Sequence, residues 1–124
     1  MAKTVLIVDD NTRVRRAVCE LFKREEDFTV CGEAANGREA IAKALELHPE
    51  LIVLDFSMPV MNGLDAAREL KRLMPEVRLI MYTMFGDMLQ EQARLVGISE
   101  LISKSEPGAV LVSKARSLLH RNAA

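Results

Sequence analysis

Three aspartates stand directly after two apolar runs that have the composition of buried strands. Asp9 and Asp10 follow the run 4–8, and Asp55 follows the run 51–54. Runs this apolar are typical of strands buried on both faces, as in a parallel sheet. Three carboxylates at one edge of a dry core carry a cost in free energy, through desolvation and mutual repulsion. A divalent cation that prefers oxygen ligands would remove much of that cost, so the pattern favours a metal site.

Two further polar residues end later strands of the predicted sheet. Thr83 directly follows the fourth predicted strand, and Lys104 directly follows the fifth. A carboxylate can attack phosphorus to give an acyl phosphate, and phosphoryl transfer needs mostly positioning and charge neutralisation. A lysine could hold a phosphoryl oxygen as a point charge, and a hydroxyl could donate to another. The set therefore indicates phosphoryl transfer to a protein carboxylate.

Simpler structural roles compete with this chemistry. Asp9 or Asp10 could cap the first helix, and Thr83 could cap the helix that follows it. Asp55 could be a turn residue and Lys104 a solvated loop residue. Neighbouring side chains on a strand point to opposite sides, so Asp9 and Asp10 can serve one site only if the chain bends there.

Strand and helix patterns alternate along the chain. Short apolar runs predict strands, and apolar residues at helical spacing predict helices. The strands are predicted at 4–8, 28–32, 51–54, 77–82 and 100–103, and the helices at 11–23, 37–47, 63–73, 87–96 and 107–120. Five such units in 1–124 predict a single α/β domain with a parallel sheet and helices on both faces. Ligands of such sheets bind beyond the carboxyl ends of the strands, where all five candidate residues fall.

Composition excludes several classes of function. The 124 residues carry a net charge of −1, which gives no argument for nucleic-acid or membrane binding. We find no stretch of about 20 apolar residues and no signal peptide, and we expect a cytoplasmic protein. Cys19 and Cys31 lack a metal-binding pattern and are predicted to be buried free thiols. No phosphate-binding glycine loop or nucleophile elbow is present, and His48 and His120 are interpreted as solvated.

Four segments together, in this order and spacing, resemble one family. They are Val5-Leu6-Ile7-Val8-Asp9-Asp10-Asn11, Leu54-Asp55-Phe56-Ser57-Met58-Pro59-Val60-Met61-Asn62-Gly63, Tyr82-Thr83 and Ser103-Lys104-Ser105. The sequence is similar to a two-component response-regulator receiver domain over essentially its whole length. The resemblance implies a flavodoxin-like, doubly wound, five-stranded parallel sheet with strand order 2-1-3-4-5 and five helices.

The resemblance also implies a magnesium site and its ligands. Asp10 corresponds to the direct Mg²⁺ ligand, and Asp9 to a partner that acts mostly through water. Asp55 and the backbone carbonyl of Ser57 complete the implied ligand set.

The remaining implied roles concern the phosphoryl group. Asp55 corresponds to the phosphoacceptor, Thr83 to the switch hydroxyl and Lys104 to the lysine that contacts the phosphoryl oxygens. The donor would be a histidine kinase, a histidine phosphotransfer protein or a small molecule. Such a domain catalyses only its own phosphorylation and dephosphorylation, so it is expected to signal rather than to act as a metabolic enzyme. The fourth helix, fifth strand and fifth helix would form the output face and a possible homodimer contact.

This chain departs from the common receiver pattern near Thr83 and Lys104. Met84 stands where a small residue is usual, and Phe85 follows it, so we predict restricted access and a long-lived phosphoryl group. Leu101 replaces the usual aromatic partner of the switch hydroxyl, and Ser105 replaces a common proline. The alternative functions are a degenerate receiver that docks without phosphorylation, and a small Mg²⁺-dependent phosphohydrolase. The receiver is expected to stand alone or to belong to a longer transcriptional regulator.

The first predicted helix carries three clustered arginines, Arg13, Arg15 and Arg16. We interpret them as the solvated face of that helix. Docking of a partner is the functional alternative for this cluster.

Overall fold

A computed structural model describes residues 2–120 of the chain. Strands and helices alternate along the whole described part. The strands are β1 (Lys3–Val8), β2 (Phe28–Ala34), β3 (Leu51–Leu54), β4 (Arg78–Thr83) and β5 (Glu100–Ser103). The helices are α1 (Thr12–Lys23), α2 (Gly37–Leu47), α3 (Gly63–Leu73), α4 (Gly86–Leu95) and α5 (Gly108–His120).

Asparagine side chains begin the first three helices. Asn11, Asn36 and Asn62 have extended backbones, and each side-chain oxygen accepts a hydrogen bond from the amide three residues later, at 2.9–3.1 Å. These bonds satisfy amides that have no partner within the helix. The helices that follow β1, β2 and β3 therefore begin at positions that the local sequence specifies.

The sheet has the order β2-β1-β3-β4-β5, and every pair of neighbours is parallel. The implied order 2-1-3-4-5 and the flavodoxin-like architecture are therefore confirmed. Val8 pairs with Leu54, and Thr83 pairs with Ser103. Because the strands run in the same direction, these residues all lie toward one edge of the sheet.

A hydrophobic core lies on each face of the sheet. Leu6 and Val8 point into the core covered by α2, α3 and α4, whereas Val5 and Ile7 point into the core covered by α1 and α5. All four side chains are at most 1% exposed. The segments 5–8 of β1 and 51–54 of β3 are apolar at every position because both of their faces are buried, which is the cause of these two continuous runs in the sequence.

The structure corrects some details of the sequence reading. β2 continues to Ala34, two residues beyond the prediction, and β4 runs one residue later than predicted. Cys19 and Cys31 are both free thiols, as predicted, and Cys19 is buried. The predicted burial of Cys31 is wrong, because this residue on the edge strand β2 is only partly buried. Among residues 2–120, no helix has the length and apolar character needed to cross a membrane.

Candidate functional site

The three predicted carboxylates meet at the carboxyl edge of the sheet. Asp9, Asp10 and Asp55 each offer an oxygen that lies within 4.8 Å of the others. Asp9 and Asp55 are 4% and 7% exposed, whereas Asp10 is exposed to solvent. Asp9 and Asp55 come together because they follow the paired residues Val8 and Leu54. The chain bends after Val8 enough to bring Asp10 to the same site.

Lys104 joins two of these carboxylates. Its Nζ lies 2.7 Å from Asp9 Oδ2 and 3.0 Å from Asp55 Oδ2, and its side chain is 13% exposed. Burial by itself disfavours the ammonium, but the hydrogen bonds to Asp9 and Asp55 outweigh it and hold the pKa of Lys104 above its usual value. Burial raises the pKa of Asp9, although Lys104 and the Asn11 amide oppose this shift. The lysine therefore stays charged and offsets the repulsion between the two carboxylates.

The turn between β1 and α1 holds Asp9 in one orientation. The Asp9 amide donates to the Ala34 carbonyl at 3.0 Å, and Asp9 Oδ1 accepts from the Asn11 amide at 2.9 Å. The Asp9 carbonyl oxygen accepts from Arg15 Nη1 at 2.9 Å. Asp9 Oδ2 accepts a hydrogen bond from Lys104, so hydrogen bonds hold both the backbone and the side chain of Asp9.

Arg15 corrects the interpretation of the arginine cluster on α1. Arg13 and Arg16 are exposed, as expected of a solvated face. The Arg15 side chain is only 18% exposed and forms a salt bridge with Glu33 at 3.0 Å. Sequence reasoning missed this role because all three arginines have the same local context.

The loop between β3 and α3 fixes Asp55. Asp55 Oδ1 accepts from the Phe56 amide at 2.7 Å, and the Phe56 carbonyl accepts from the Gly63 amide at 2.8 Å. A Cβ on Gly63 would overlap the carbonyl oxygen of Asp55, so α3 can begin this close only with glycine. Ser57, two residues after Asp55, is exposed in this loop.

Thr83 lies at the end of β4 and is fully buried. Its carbonyl accepts from the Lys104 amide at 3.0 Å, so the ends of β4 and β5 stay paired beside the site. Its hydroxyl oxygen accepts from the Phe85 amide at 3.3 Å. The hydroxyl therefore supports the β4–α4 turn. It does not cap α4 as foreseen, because the N-cap residue of α4 is Phe85 and, among the residues that the structure describes, no side chain makes a capping hydrogen bond there.

Apolar side chains stand next to this turn. The Phe85 ring meets the Phe56 ring edge-on, with centroids 6.1 Å apart, which joins the β4–α4 turn to the residue after Asp55. Met84 and Phe85 are 66% and 45% exposed. Leu101 is partly buried and packs against the core under α4.

The donor set suits a hard divalent cation. Mg²⁺ is commonly held by one or two carboxylates while it keeps several waters and contacts phosphate oxygens. Here two buried carboxylates lie beside a third that faces solvent, so the cluster combines oxygen ligands with an open side. The arrangement can hold such an ion and present a carboxylate and an ammonium to a phosphoryl group.

The response regulator receiver domain is the family whose model matches this chain, over residues 5–116. The chain belongs to the response regulator receiver domain family. The receiver domain is therefore a signalling domain of the kind found in two-component systems.

Relatives of known name carry the same domain within longer proteins. The receiver is 38% identical to protein-glutamate methylesterase/protein-glutamine glutaminase 4 of Hahella chejuensis, over 97% of this chain and 32% of that protein. It is 42% identical to response regulator protein VraR of Staphylococcus epidermidis, over 68% of this chain and 41% of that protein. The matched part thus spans about a third to two fifths of each relative's length.

Solved structures share its architecture. A LuxR-family two-component response regulator from Aurantimonas sp. superposes with a TM-score of 0.91 at 28% identity, covering 96% of this chain and 86% of that one. CheY in the CheX–CheY–BeF3–Mg complex of Borrelia burgdorferi superposes with a TM-score of 0.89 at 26% identity, covering 94% and 89%. The arrangement of five strands and five helices is therefore that of a CheY-like receiver.

Proposed function

We propose that this receiver accepts a phosphoryl group on Asp55 in a two-component phosphorelay, with Mg²⁺ bound at the acidic cluster. The observation that carries the proposal is the contact of Lys104 Nζ with both Asp9 and Asp55, beside the solvent-facing Asp10. Desolvating such a group of charges costs free energy that folding alone does not require. The cost is explained if the charges serve a reaction.

Each residue of the cluster has a role in this proposal. Asp10 and Asp55 would be direct ligands of Mg²⁺, Asp9 would act mostly through water, and the Ser57 carbonyl would complete the protein ligands. The cation would supply charge neutralisation on the phosphoryl oxygens.

The chemistry at Asp55 is a displacement at phosphorus. A carboxylate oxygen of Asp55 forms a P–O bond while the P–N bond to a phosphohistidine of a kinase or phosphotransfer protein breaks. Lys104, now on Asp55 Oδ2 at 3.0 Å, can transfer its hydrogen bond to a phosphoryl oxygen without leaving Asp9. It thereby follows the negative charge as that charge moves from carboxylate to phosphoryl group.

The switch in this proposal begins at Thr83. Its hydroxyl now accepts from the Phe85 amide, directly before α4. Turning the hydroxyl toward the phosphoryl group would break that bond and release the start of α4. Leu101 cannot act as a rotating aromatic ring, so Phe85, whose ring contacts Phe56, or Tyr82 at the end of β4 would take over the coupling.

The proposed output face comprises α4, β5 and α5. Met88 and Leu95 on α4 are 76% and 68% exposed, so this face offers large apolar side chains to a partner. A second copy of the chain or an output partner would bind there. The receiver itself is not proposed to contact nucleic acid.

Intact-mass spectrometry with a small phosphodonor and Mg²⁺ tests the proposal. Wild type should gain the mass of one phosphoryl group, Asp55→Asn should gain none, and Asp65→Asn, at an exposed aspartate of α3, should behave as wild type. An adduct that persists on Asp55→Asn refutes the assignment of Asp55. No adduct on wild type favours the docking module, and repeated release of phosphate favours the phosphohydrolase.

A further inference from the structure

The Arg15 guanidinium reaches back from α1 to the turn that carries Asp9 and Asp10. Its Nη1 donates to the Asp9 carbonyl oxygen at 2.9 Å, and its Nε donates to Glu33 Oε1 at 3.0 Å. The side chain of Arg15 is 18% exposed, although its neighbours Arg13 and Arg16 are exposed to solvent. One side chain thus connects the turn to the edge strand β2.

The bonded carbonyl belongs to the peptide that links Asp9 to Asp10. Asp9 has its carboxylate held by Asn11 and Lys104, but within residues 2–120 the Asp10 carboxylate accepts no hydrogen bond. The direction of the Asp10 side chain therefore depends on the orientation of its backbone. Fixing the plane of the Asp9–Asp10 peptide fixes the Asp10 nitrogen and thereby limits the positions from which the Asp10 carboxylate can reach the site of Asp9 and Asp55.

Glu33 offsets the positive charge that Arg15 brings near the acidic cluster. An unpaired guanidinium near the acidic cluster would repel a divalent cation. The salt bridge to Glu33 neutralises much of that charge and leaves the Nη1–H donor on the Asp9 carbonyl. Glu33 is placed by the register of β2, in which it pairs with Ile7.

We propose that Arg15, oriented by Glu33, is a positioning residue that sets the Asp9–Asp10 peptide for divalent-cation binding. The inference rests on the metal site of the proposed function. Partners that orient metal ligands commonly change metal affinity by about 10- to 100-fold when they are lost. Because Arg15 acts on backbone next to the ligand, the lower end of that range, about tenfold, is expected.

The charge of Arg15 and its positioning role predict opposite changes in cation affinity when Arg15 is replaced, so the direction of the change decides between them. Loss of a positive charge near the cluster tightens cation binding, whereas loss of the peptide orientation weakens it. Calorimetric titration of the whole receiver with Mg²⁺ should give a Kd about tenfold higher for Arg15→Met than for wild type. The matched control Arg16→Met, on the same helix with the same charge change, should bind as tightly as wild type or more tightly.

A double-mutant cycle tests whether Glu33 acts through Arg15. Glu33→Gln should weaken Mg²⁺ binding, and adding it to Arg15→Met should cause no further loss. A cooperative thermal unfolding transition without Mg²⁺ is the control that each variant is folded. If Arg15→Met does not fold, the Mg²⁺ affinity of Glu33→Gln tests the positioning role in its place. Unchanged or tighter binding in Arg15→Met overturns the positioning role and leaves the proposed function intact. Failure of wild type to bind Mg²⁺ overturns the metal site itself.

Discussion

Gly63 and Gly86 begin α3 and α4, and replacing each by alanine should change stability in opposite directions. A Cβ on Gly63 would overlap the Asp55 carbonyl oxygen and lie 2.9 Å from the Asp55 carbonyl carbon and 3.0 Å from Met81 Cε. A Cβ on Gly86 would meet nothing within 4 Å. Neither glycine has a positive φ, so the difference between them is one of space.

The expected magnitudes follow from two opposing effects. Alanine at a compatible glycine position gains about 0.4–1 kcal/mol, mainly by restricting the unfolded chain. An extra carbon in a packed region costs about 1–3 kcal/mol, and the obstacle at Gly63 is backbone that cannot rotate away. Gly63→Ala should therefore lose about 1–2 kcal/mol net, while Gly86→Ala should gain up to about 1 kcal/mol.

Urea unfolding followed by circular dichroism measures both changes at constant m-value. In thermal unfolding, each kcal/mol should appear as a shift in Tm of about 3–6 °C for a domain of this size. Equal stability of Gly63→Ala and Gly86→Ala, or a gain in both, would refute the argument that α3 starts in contact with the Asp55 backbone.

Three further outcomes are expected. Met84→Ala should shorten the phosphoryl lifetime by opening access to the site, as followed by the decay of the phosphorylated mass with Mg²⁺; a wild-type half-life of seconds would contradict the predicted long lifetime. The Arg116 guanidinium holds the pKa of Asp27 below its usual value, so this pair stabilises the fold above about pH 4 and the contribution is lost as pH falls through the lowered pKa. Arg116→Met should thus show a smaller decrease of Tm as the pH falls below about pH 4. The same decrease in Arg116→Met and wild type would count against a stabilising role of this pair. Burial raises the pKa of the Cys19 thiol to about 11, so only about one thiol in a thousand is ionised at pH 8, and iodoacetamide should modify Cys19 rapidly only in urea; rapid labelling of the folded protein would show the thiol to be accessible.

Local patterns predicted the elements because their causes are local. An asparagine before a helical repeat places its cap within three residues, and the continuous apolar runs report strands buried on both faces. The order of the strands came from the family resemblance, because hydrophobic patterns do not say which strands are neighbours. β2 was predicted two residues too short, since an edge strand with polar Glu33 lacks a continuous apolar run.

The acidic cluster was predictable for a topological reason. Parallel strands bring their carboxyl ends to one edge, so residues as far apart as Asp9 and Lys104 were expected to meet, and they do at 2.7 Å. The roles proposed for Asp9, Asp10, Asp55, Ser57, Thr83 and Lys104 stay predictions that phosphorylation and metal titration test.

The tertiary structure alone decided how the turns at this edge are held. Arg15, Arg13 and Arg16 are equivalent by local sequence, yet only Arg15 reaches the Asp9 carbonyl and Glu33. Gly63 and Gly86 begin helices in the same way, yet only Gly63 abuts the Asp55 backbone. Side-chain type and spacing determine what chemistry is possible and where elements form. The packing of α1 against β2, and the close approach of α3 to the Asp55 backbone, depend on long-range register, which no local pattern encodes.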